Sequence, residues 1–280
     1  MDDLTTYCEN TWCPGCGNFG IFSAVKSAIK KLEARGVPRE RLVMSAGIGC
    51  HGKIFDYLAL SGFYSLHGRS MTTVQGIKLA NPDAKVLTFA GDGDAYGEGL
   101  EHMLFAAKRN ADITVIVHNN GVYGLTVGQY SPMSRKGFKG PSTPRGSIEE
   151  PLNPLAILLE AGATFVARGY SGKTEQFADI IARAVEHEGF SYIDVLQPCV
   201  SFNDTYKLYN GLVEAVAEPA KTREEAIRLA KRPDKIPIGV LWQERKEPFH
   251  GSLYGDWNPV AKRMPRAERV KIIEKIIRGD

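Results

Sequence analysis

Two cysteines separated by a proline and a glycine, Cys13-Pro14-Gly15-Cys16, stand just ahead of a helical pattern. Thiolates at this spacing can grip one metal centre: zinc, half of an iron–sulfur site, or a redox pair. Further along, Gly91-Asp92-Gly93-Asp94 and His118-Asn119-Asn120 each follow an apolar run. Asp92 offers a carboxylate oxygen, Asn120 an amide oxygen and Val122 a backbone carbonyl. Such hard donors suit Mg²⁺, with phosphate oxygens and water completing an octahedron. The glycines, Gly91 and Gly93, let backbone approach a ligand closely.

These groups can act together only if the fold brings them to one edge. The segment 85–90 reads as a buried strand running into Gly91, and 112–117 as a second strand, β-branched at most positions, as parallel strands covered on both faces tend to be. A helix is predicted over 18–34 from Phe19, Phe22, Val25, Ala28, Ile29 and Leu32, a strand over 41–46, a helix over 71–80 and another over 97–109. Strand 164–167, helix 174–188 and strand 192–196 repeat the alternation. The fold class expected is α/β, a doubly wound, mostly parallel sheet, whose ligands bind at the carboxyl ends of the strands. Residues 1–210 are expected to form the cofactor-binding domain and 211–280 a C-terminal extension. Within it, 222–231 reads as a charged helix, 238–242 as a strand and 265–278 as a helix that packs on its own domain or docks on another subunit. The stretch 133–154, rich in Gly, Pro, Ser and basic residues, reads as a lid or as a loop ordered by a partner.

Of five cysteines, Cys50 falls in the turn after the first strand, Cys199 follows Pro198 beyond the strand at 192–196, and Cys8 fits no spacing pattern. Four thiolates from Cys13, Cys16, Cys50 and Cys199 suit a [4Fe–4S] cluster or zinc. An odd, sparse cysteine set argues against a disulfide framework and for the cytoplasm. A formal charge of +3 over 280 residues gives no case for nucleic acid. No apolar run approaches the roughly 20 residues of a membrane span, and the acidic, polar first residues do not read as a signal peptide. Gly47-Ile48-Gly49-Cys50-His51-Gly52-Lys53 nearly spells a P-loop, but Ile54 stands where the Mg²⁺-binding hydroxyl belongs. The turn at Gly91 lacks the third glycine of a dinucleotide fingerprint.

Gly-Asp-Gly at one strand end and Asn at the next resembles the thiamine-diphosphate motif. With Trp12-Cys13-Pro14-Gly15-Cys16-Gly17, Gly47-Ile48-Gly49-Cys50, His67-Gly68-Arg69 and Asn119-Asn120-Gly121-Val122-Tyr123-Gly124-Leu125-Thr126 in order, the chain resembles the β subunit of 2-oxoacid:ferredoxin oxidoreductases. That group includes the pyruvate and 2-oxoglutarate enzymes. The resemblance implies that Cys13, Cys16, Cys50 and Cys199 ligate a [4Fe–4S] cluster and that Asp92, Asn120 and the Val122 carbonyl hold Mg²⁺. It implies a thiamine diphosphate site lined by Ile48, Gly49, Cys50, His51, His67, Gly68, Gly91, Gly93, Asp94, Asn120, Gly124 and Leu125. His51 departs from the family, which often has Ser there. Candidate catalytic side chains are His67 and Lys53, the latter as a point charge for a substrate carboxylate.

The activity implied is oxidative decarboxylation of a 2-oxo acid to acyl-CoA and CO₂, with ferredoxin as electron acceptor and coenzyme A as acyl acceptor. The glutamate that activates the cofactor's aminopyrimidine would come from an α subunit, accompanied by a γ domain or separate γ and δ subunits. Glu98 and Glu101 read instead as helix-face residues. Two other readings of the motifs are a non-redox thiamine diphosphate-dependent decarboxylase or synthase half and a zinc-stabilised nucleotide-binding module; a third, a cluster-only electron-transfer subunit, leaves Asp92 and Asn120 unexplained.

Overall fold

Eight strands hydrogen-bond into one sheet in a computed structural model that describes residues 4–255, 257–261 and 264–279. In chain order the elements are α1 (Asn18–Ala34), β1 (Leu42–Ala46), α2 (Ile54–Tyr57), β2 (Ser61–Tyr64), α3 (Ser70–Ala80), β3 (Lys85–Gly91), α4 (Leu100–Arg109) and β4 (Ile113–Asn119). Then come a small hairpin, β5 (Val122–Tyr123) and β6 (Gln129–Tyr130), α5 (Pro154–Glu160), β7 (Phe165–Tyr170), α6 (Thr174–Glu186) and β8 (Phe190–Leu196). Last are α7 (Tyr206–Leu212), β9 (Val213–Ala215), α8 (Arg223–Ala230), β10 (Ile236–Gln243), α9 (Phe249–Tyr254) and α10 (Arg266–Arg278).

The sheet order is β2-β1-β3-β4-β8-β7-β10-β9, every pairing parallel except β7 with β10. Helices cover both faces, so the central strands bury both sides, and β4 is apolar up to His118 except for Thr114, whose hydroxyl donates to the Ala184 carbonyl. Alternation along β4 sends Ile116 to the core under α1 and α6, and Ile113, Val115 and Val117 to the core under α3, α4 and α5. The register sets the site. Ala46 lies beside Phe89, Gly91 beside His118, and Asn119 beside Leu196. The residues that follow these strand ends therefore emerge side by side.

The sequence expectation of a doubly wound, mostly parallel sheet holds, and α1 spans the predicted residues. Differences have local causes. β2 carries no alternating pattern because all four of its residues are exposed at the sheet edge. The helix expected from residue 97 starts at Leu100, since residues 93–97 form a π-helical turn that folds the Gly-Asp-Gly segment over the strand ends. β10 enters antiparallel at the far side, where a register shift between Val240 and Trp242 bends it. The stretch after Ser131 has almost no regular structure but is tied down: Ser134 Oγ donates to the Gly121 carbonyl at 2.6 Å, and Gly137 N–H to Ser147 O at 2.7 Å. No helix among the described residues is long and apolar enough to cross a membrane. On α10, Ile276 and Ile277 are largely exposed, so this helix does not bury its apolar side chains on its own chain.

Away from the site, a buried ion pair joins α3 to the start of β4. Lys78 Nζ lies 2.6 Å from Asp112 Oδ2 and also donates to the carbonyls of Pro82 and Ala84. Replacing Lys78 by methionine leaves the Asp112 carboxylate buried without its cation. Denaturant unfolding is expected to show a loss of about 3–5 kcal/mol, and a variant as stable as the parent would refute this account. His187 is likewise buried, its Nε2 2.9 Å from Thr164 Oγ1. Burial holds its pKa below the ordinary histidine value, with Asp112 pulling weakly the other way. The unfolded chain thus binds more protons than the folded one as pH falls below about 6.5. Stability is full above that value and declines on acidification. His187→Gln should flatten the fall in melting temperature between about pH 6.5 and about pH 5; an unchanged slope would remove His187 as its source.

Candidate functional site

At the carboxyl ends of β1, β3, β4 and β8 a cleft opens. Ile48, Gly49, Cys50 and His51 line it from the turn after β1; Gly91 from the end of β3, and Asp92, Gly93 and Asp94 from the turn after it; His118 and Asn120 from β4 and its end; Gln197 follows β8. His67, Val122, Tyr123, Gly124, Leu125 and Thr126 complete the walls. The residues singled out in the sequence for the cofactor and for Mg²⁺ thus converge, with one difference. Gly68 does not line the cleft; its N–H donates to Asp94 Oδ1 at 2.8 Å. It must be glycine: φ is +63° and a Cβ would overlap the Glu98 carbonyl. A Cβ on Gly93 would overlap the Tyr123 ring, whose hydroxyl reaches the Gly93 carbonyl at 3.2 Å.

Asp92 is 1% exposed. Burial pushes its pKa up to about 7, against the opposing hydrogen bonds from Ser131 Oγ and the Asn120 backbone N–H. A divalent cation beside this carboxylate would favour its ionised form. Asn120 has its Oδ1 on the Val122 N–H at 2.9 Å, while its backbone carbonyl accepts from Asn203 Nδ2 at 2.8 Å. Behind them lies a buried network. Asp194 accepts from Asn119 Nδ2 at 3.0 Å and from Tyr96 OH at 3.2 Å, and its other oxygen is 3.4 Å from Arg168 Nε. Asp94 also accepts from Ile48 N–H at 3.4 Å, so it ties the turns after β1 and before α3 to the Gly-Asp-Gly segment.

Two histidines form part of the cleft floor, their ring centroids 5.8 Å apart. His118 Nδ1 faces Asn18 Oδ1 at 2.8 Å, which places the proton on Nδ1 and a lone pair on Nε2. Burial, then His51, holds His118 well below the ordinary histidine pKa. His118 Nε2, His51 Nε2 and Asp94 Oδ2 are buried without a hydrogen-bond partner among the described residues, although His51 Nε2 and Asp94 Oδ2 stand 3.5 Å apart. Unsatisfied polar atoms against a glycine-lined wall are what a cleft shaped for a polar ligand leaves when protein atoms alone are counted.

The thiols gather next door. Cys13, Cys16, Cys50 and Cys199 line one cavity, with Trp12, Lys53 and Phe202. The Cys16 N–H closes a turn onto the Cys13 carbonyl at 3.0 Å, and Gly17 N–H bonds Pro198 O at 3.1 Å, which joins the N-terminal loop to the Cys199 segment. Trp12 Nε1 donates to the Cys50 carbonyl at 2.6 Å and its ring packs edge-on against Phe19 and Tyr57. Burial pushes the Cys16 thiol up to about 11 and raises Cys50 too; the other three thiols add to the rise at Cys16, and Cys13 and Cys199 to that at Cys50. A Cβ on Gly124 would sit 3.6 Å from Cys50 Sγ and 3.9 Å from Cys199 Sγ. No three described His, Cys, Asp or Glu side chains close on a point as a single-ion site would. Cys8 is exposed and lines neither cavity.

The candidate catalytic residues separate. His67 borders the cleft, half exposed, 3.6 Å from Glu98 Oε1 and 4.0 Å from Asp94 Oδ1. Lys53 lines the thiol cavity instead, its Nζ donating to Thr11 Oγ1 at 2.9 Å. Glu98 lies ahead of α4, not on it. Sequence reading missed His118, Tyr123, Thr126 and Gln197. His118 and Gln197 each lie two residues before one already chosen, Asn120 and Cys199, at a strand end, which is the signal that could have found them.

The stretch 47–195 matches the model for the thiamine pyrophosphate enzyme C-terminal TPP-binding domain, and 199–255 that for the C-terminal part of the pyruvate ferredoxin oxidoreductase β subunit. The chain is 44% identical over 252 residues to a 2-oxoacid:ferredoxin oxidoreductase subunit β of Saccharolobus solfataricus, covering 84% of this chain and 82% of that one. It belongs to the β-subunit family of 2-oxoacid:ferredoxin oxidoreductases. A 2-oxoglutarate synthase subunit KorB of Archaeoglobus fulgidus is 38% identical over 188 residues, 67% of this chain and 69% of the relative. A solved 2-oxoglutarate:ferredoxin oxidoreductase from Magnetococcus marinus, with 2-oxoglutarate, coenzyme A and succinyl-CoA bound, superposes with a TM-score of 0.86 at 35% identity, over 94% of this chain and 95% of that chain. This β subunit therefore carries a thiamine diphosphate-binding domain, is one part of an oxidoreductase complex and implies an α-subunit partner.

Proposed function

We propose that the chain holds the diphosphate half of thiamine diphosphate through Mg²⁺ on Asp92, Asn120 and the Val122 carbonyl. Beside it, Cys13, Cys16, Cys50 and Cys199 bind a [4Fe–4S] cluster. The complex converts a 2-oxo acid such as pyruvate or 2-oxoglutarate, with coenzyme A, to acyl-CoA and CO₂, and passes electrons to ferredoxin. The observation that carries this reading is the shared wall: Cys50, Asn120, Gly124 and Gln197 line both the cleft and the thiol cavity. Four thiols on one cavity suit a [4Fe–4S] cluster or zinc, and the resemblance favours the cluster.

When bound, thiamine diphosphate supplies the electron sink for loss of CO₂. The chain's own residues supply position and charge. Asp92 provides the hard anionic oxygen, and Gly91 and Gly93 leave room for the His51 and Tyr123 rings of the wall. Asp94 fixes the surrounding turns, and His67 stands at the rim where a substrate can reach it. The activating glutamate is assigned to the α subunit, since Glu98 faces His67 at the rim. Within residues 211–280, β9 and β10 complete the sheet, and α10 extends toward other subunits, a role supported by its exposed isoleucines. Free thiols suit the cytoplasm.

The test is to isolate the complex anaerobically and measure iron, sulfide, zinc and thiamine diphosphate per β subunit. About four irons and one thiamine diphosphate are expected. Thiamine diphosphate without iron would move the protein to the non-redox class; zinc without thiamine diphosphate would overturn the proposal.

A further inference from the structure

One side chain of the shared wall neither holds the cofactor nor supplies a thiolate. Gln197 is 1% exposed and follows β8 directly. Its backbone N–H is bonded to the Asn119 carbonyl at 2.9 Å, so the residue is pinned to the end of β4. Its side-chain Nε2 lies 3.2 Å from the Pro198 carbonyl and 3.4 Å from Cys16 Sγ. Both partners are acceptors, and an amide has two N–H groups. The amide orientation is therefore fixed: turned over, its oxygen would face the Pro198 carbonyl. Gly17 closes over the same side chain, where a Cβ would come within 2.9 Å of Gln197 Cγ.

We propose that Gln197 is a tuning residue for the redox centre: its N–H···S bond to the Cys16 ligand raises the reduction potential of the cluster. This rests on the cluster assignment under Proposed function. The physical basis is charge. The oxidised cluster takes one electron from a titrant and becomes more negative by one unit. A buried N–H dipole aimed at a ligand sulfur stabilises the more negative state, and hydrogen bonds to cluster sulfurs are a recognised determinant of potential. Cys16 is buried, as is Cys199, and the Asn18 backbone N–H is the other donor to Cys16. Gln197 also faces the cleft, so the same amide sits between the cluster and the cofactor it serves.

The experiment is an anaerobic redox titration of the cluster in the intact complex, followed by electron paramagnetic resonance, for the parent, Gln197→Met and Gln197→Glu. Methionine keeps the bulk and removes the donor; glutamate removes the donor and adds an acceptor. The reduced-to-oxidised ratio at fixed potential is expected to fall roughly three- to tenfold in Gln197→Met, a shift of about 30–60 mV downward at about 59 mV per tenfold. The fall should be larger in Gln197→Glu. An unchanged potential in variants with a full complement of iron would overturn the inference and leave the cluster assignment standing. A parent complex without iron would overturn the assignment itself. If both variants lose the cluster, the parent complex grown with amide-¹⁵N glutamine decides. A ¹⁵N coupling to the reduced cluster supports the bond, and its absence refutes it.

Discussion

Asp92→Asn is expected to abolish retention of thiamine diphosphate and to lower 2-oxo acid oxidation by at least about 100-fold, roughly 3 kcal/mol of transition-state stabilisation. The asparagine is nearly isosteric and keeps an oxygen for the Ser131 hydroxyl, but it cannot give Mg²⁺ an anionic ligand. The same change should raise the melting temperature of the cofactor-free chain. Burial, outweighing the hydrogen bonds from Ser131 and the Asn120 N–H, pushes the Asp92 carboxyl up to about 7, so its ionised form is held in the fold against a desolvation penalty. Opposite signs for stability and activity are what a residue kept for its ligand produces. Calorimetric titration with Mg²⁺ and thiamine diphosphate, with thermal unfolding beside it, checks both. Undiminished binding would remove Asp92 as the metal ligand.

Cys199→Ser should produce the complementary loss. A serine hydroxyl is a poor ligand for iron where a thiolate is required. Iron per β subunit is expected to fall below four and electron transfer to ferredoxin by about 1,000-fold or more. Thiamine diphosphate affinity should stay within about threefold of the parent, because Cys199 lines the thiol cavity and not the cleft. The local backbone should survive, since it is held by the reciprocal Cys199–Asn203 bonds of 3.2 and 2.9 Å. Full iron content and normal ferredoxin reduction in this variant would remove Cys199 from the ligand set. Asp92→Asn, in turn, should keep its iron, so the two variants separate the two halves of the site.

Much of the site is legible in the residues because the relevant signals are local. A parallel sheet covered on both faces leaves apolar strands, and the strands at 85–90 and 112–117 end in residues that do not belong in a core. Gly-Asp-Gly and Asn-Asn-Gly are each weak signals alone, but together, at strand ends and at this spacing, they mark a sheet edge. What does not show lacks a local signature. β2 has no buried face to write a period into its sequence, and the pairing of β10 with β7 depends on partners at long sequence separation. His118 reads as the last residue of a strand; its free Nε2 emerges only once Asn18, at the start of α1, is folded against it.

The residue types and their spacing supply the donors: soft thiolates in two turns and near the N-terminus, hard oxygens at two strand ends, and small residues between them. Their company comes from contacts across the fold. Register between β1, β3, β4 and β8 puts Gly47, Asp92, Asn120 and Gln197 on one edge, and the bond from Gly17 to Pro198 brings residues 13–16 onto Cys199. The fold also moved Lys53 to the thiol cavity and made Gln197 common to both sites. Composition and spacing fix chemical capacity. Which capacities share a wall is set by hydrogen-bond register and by which helix packs over which strand, interactions between residues far apart in the chain.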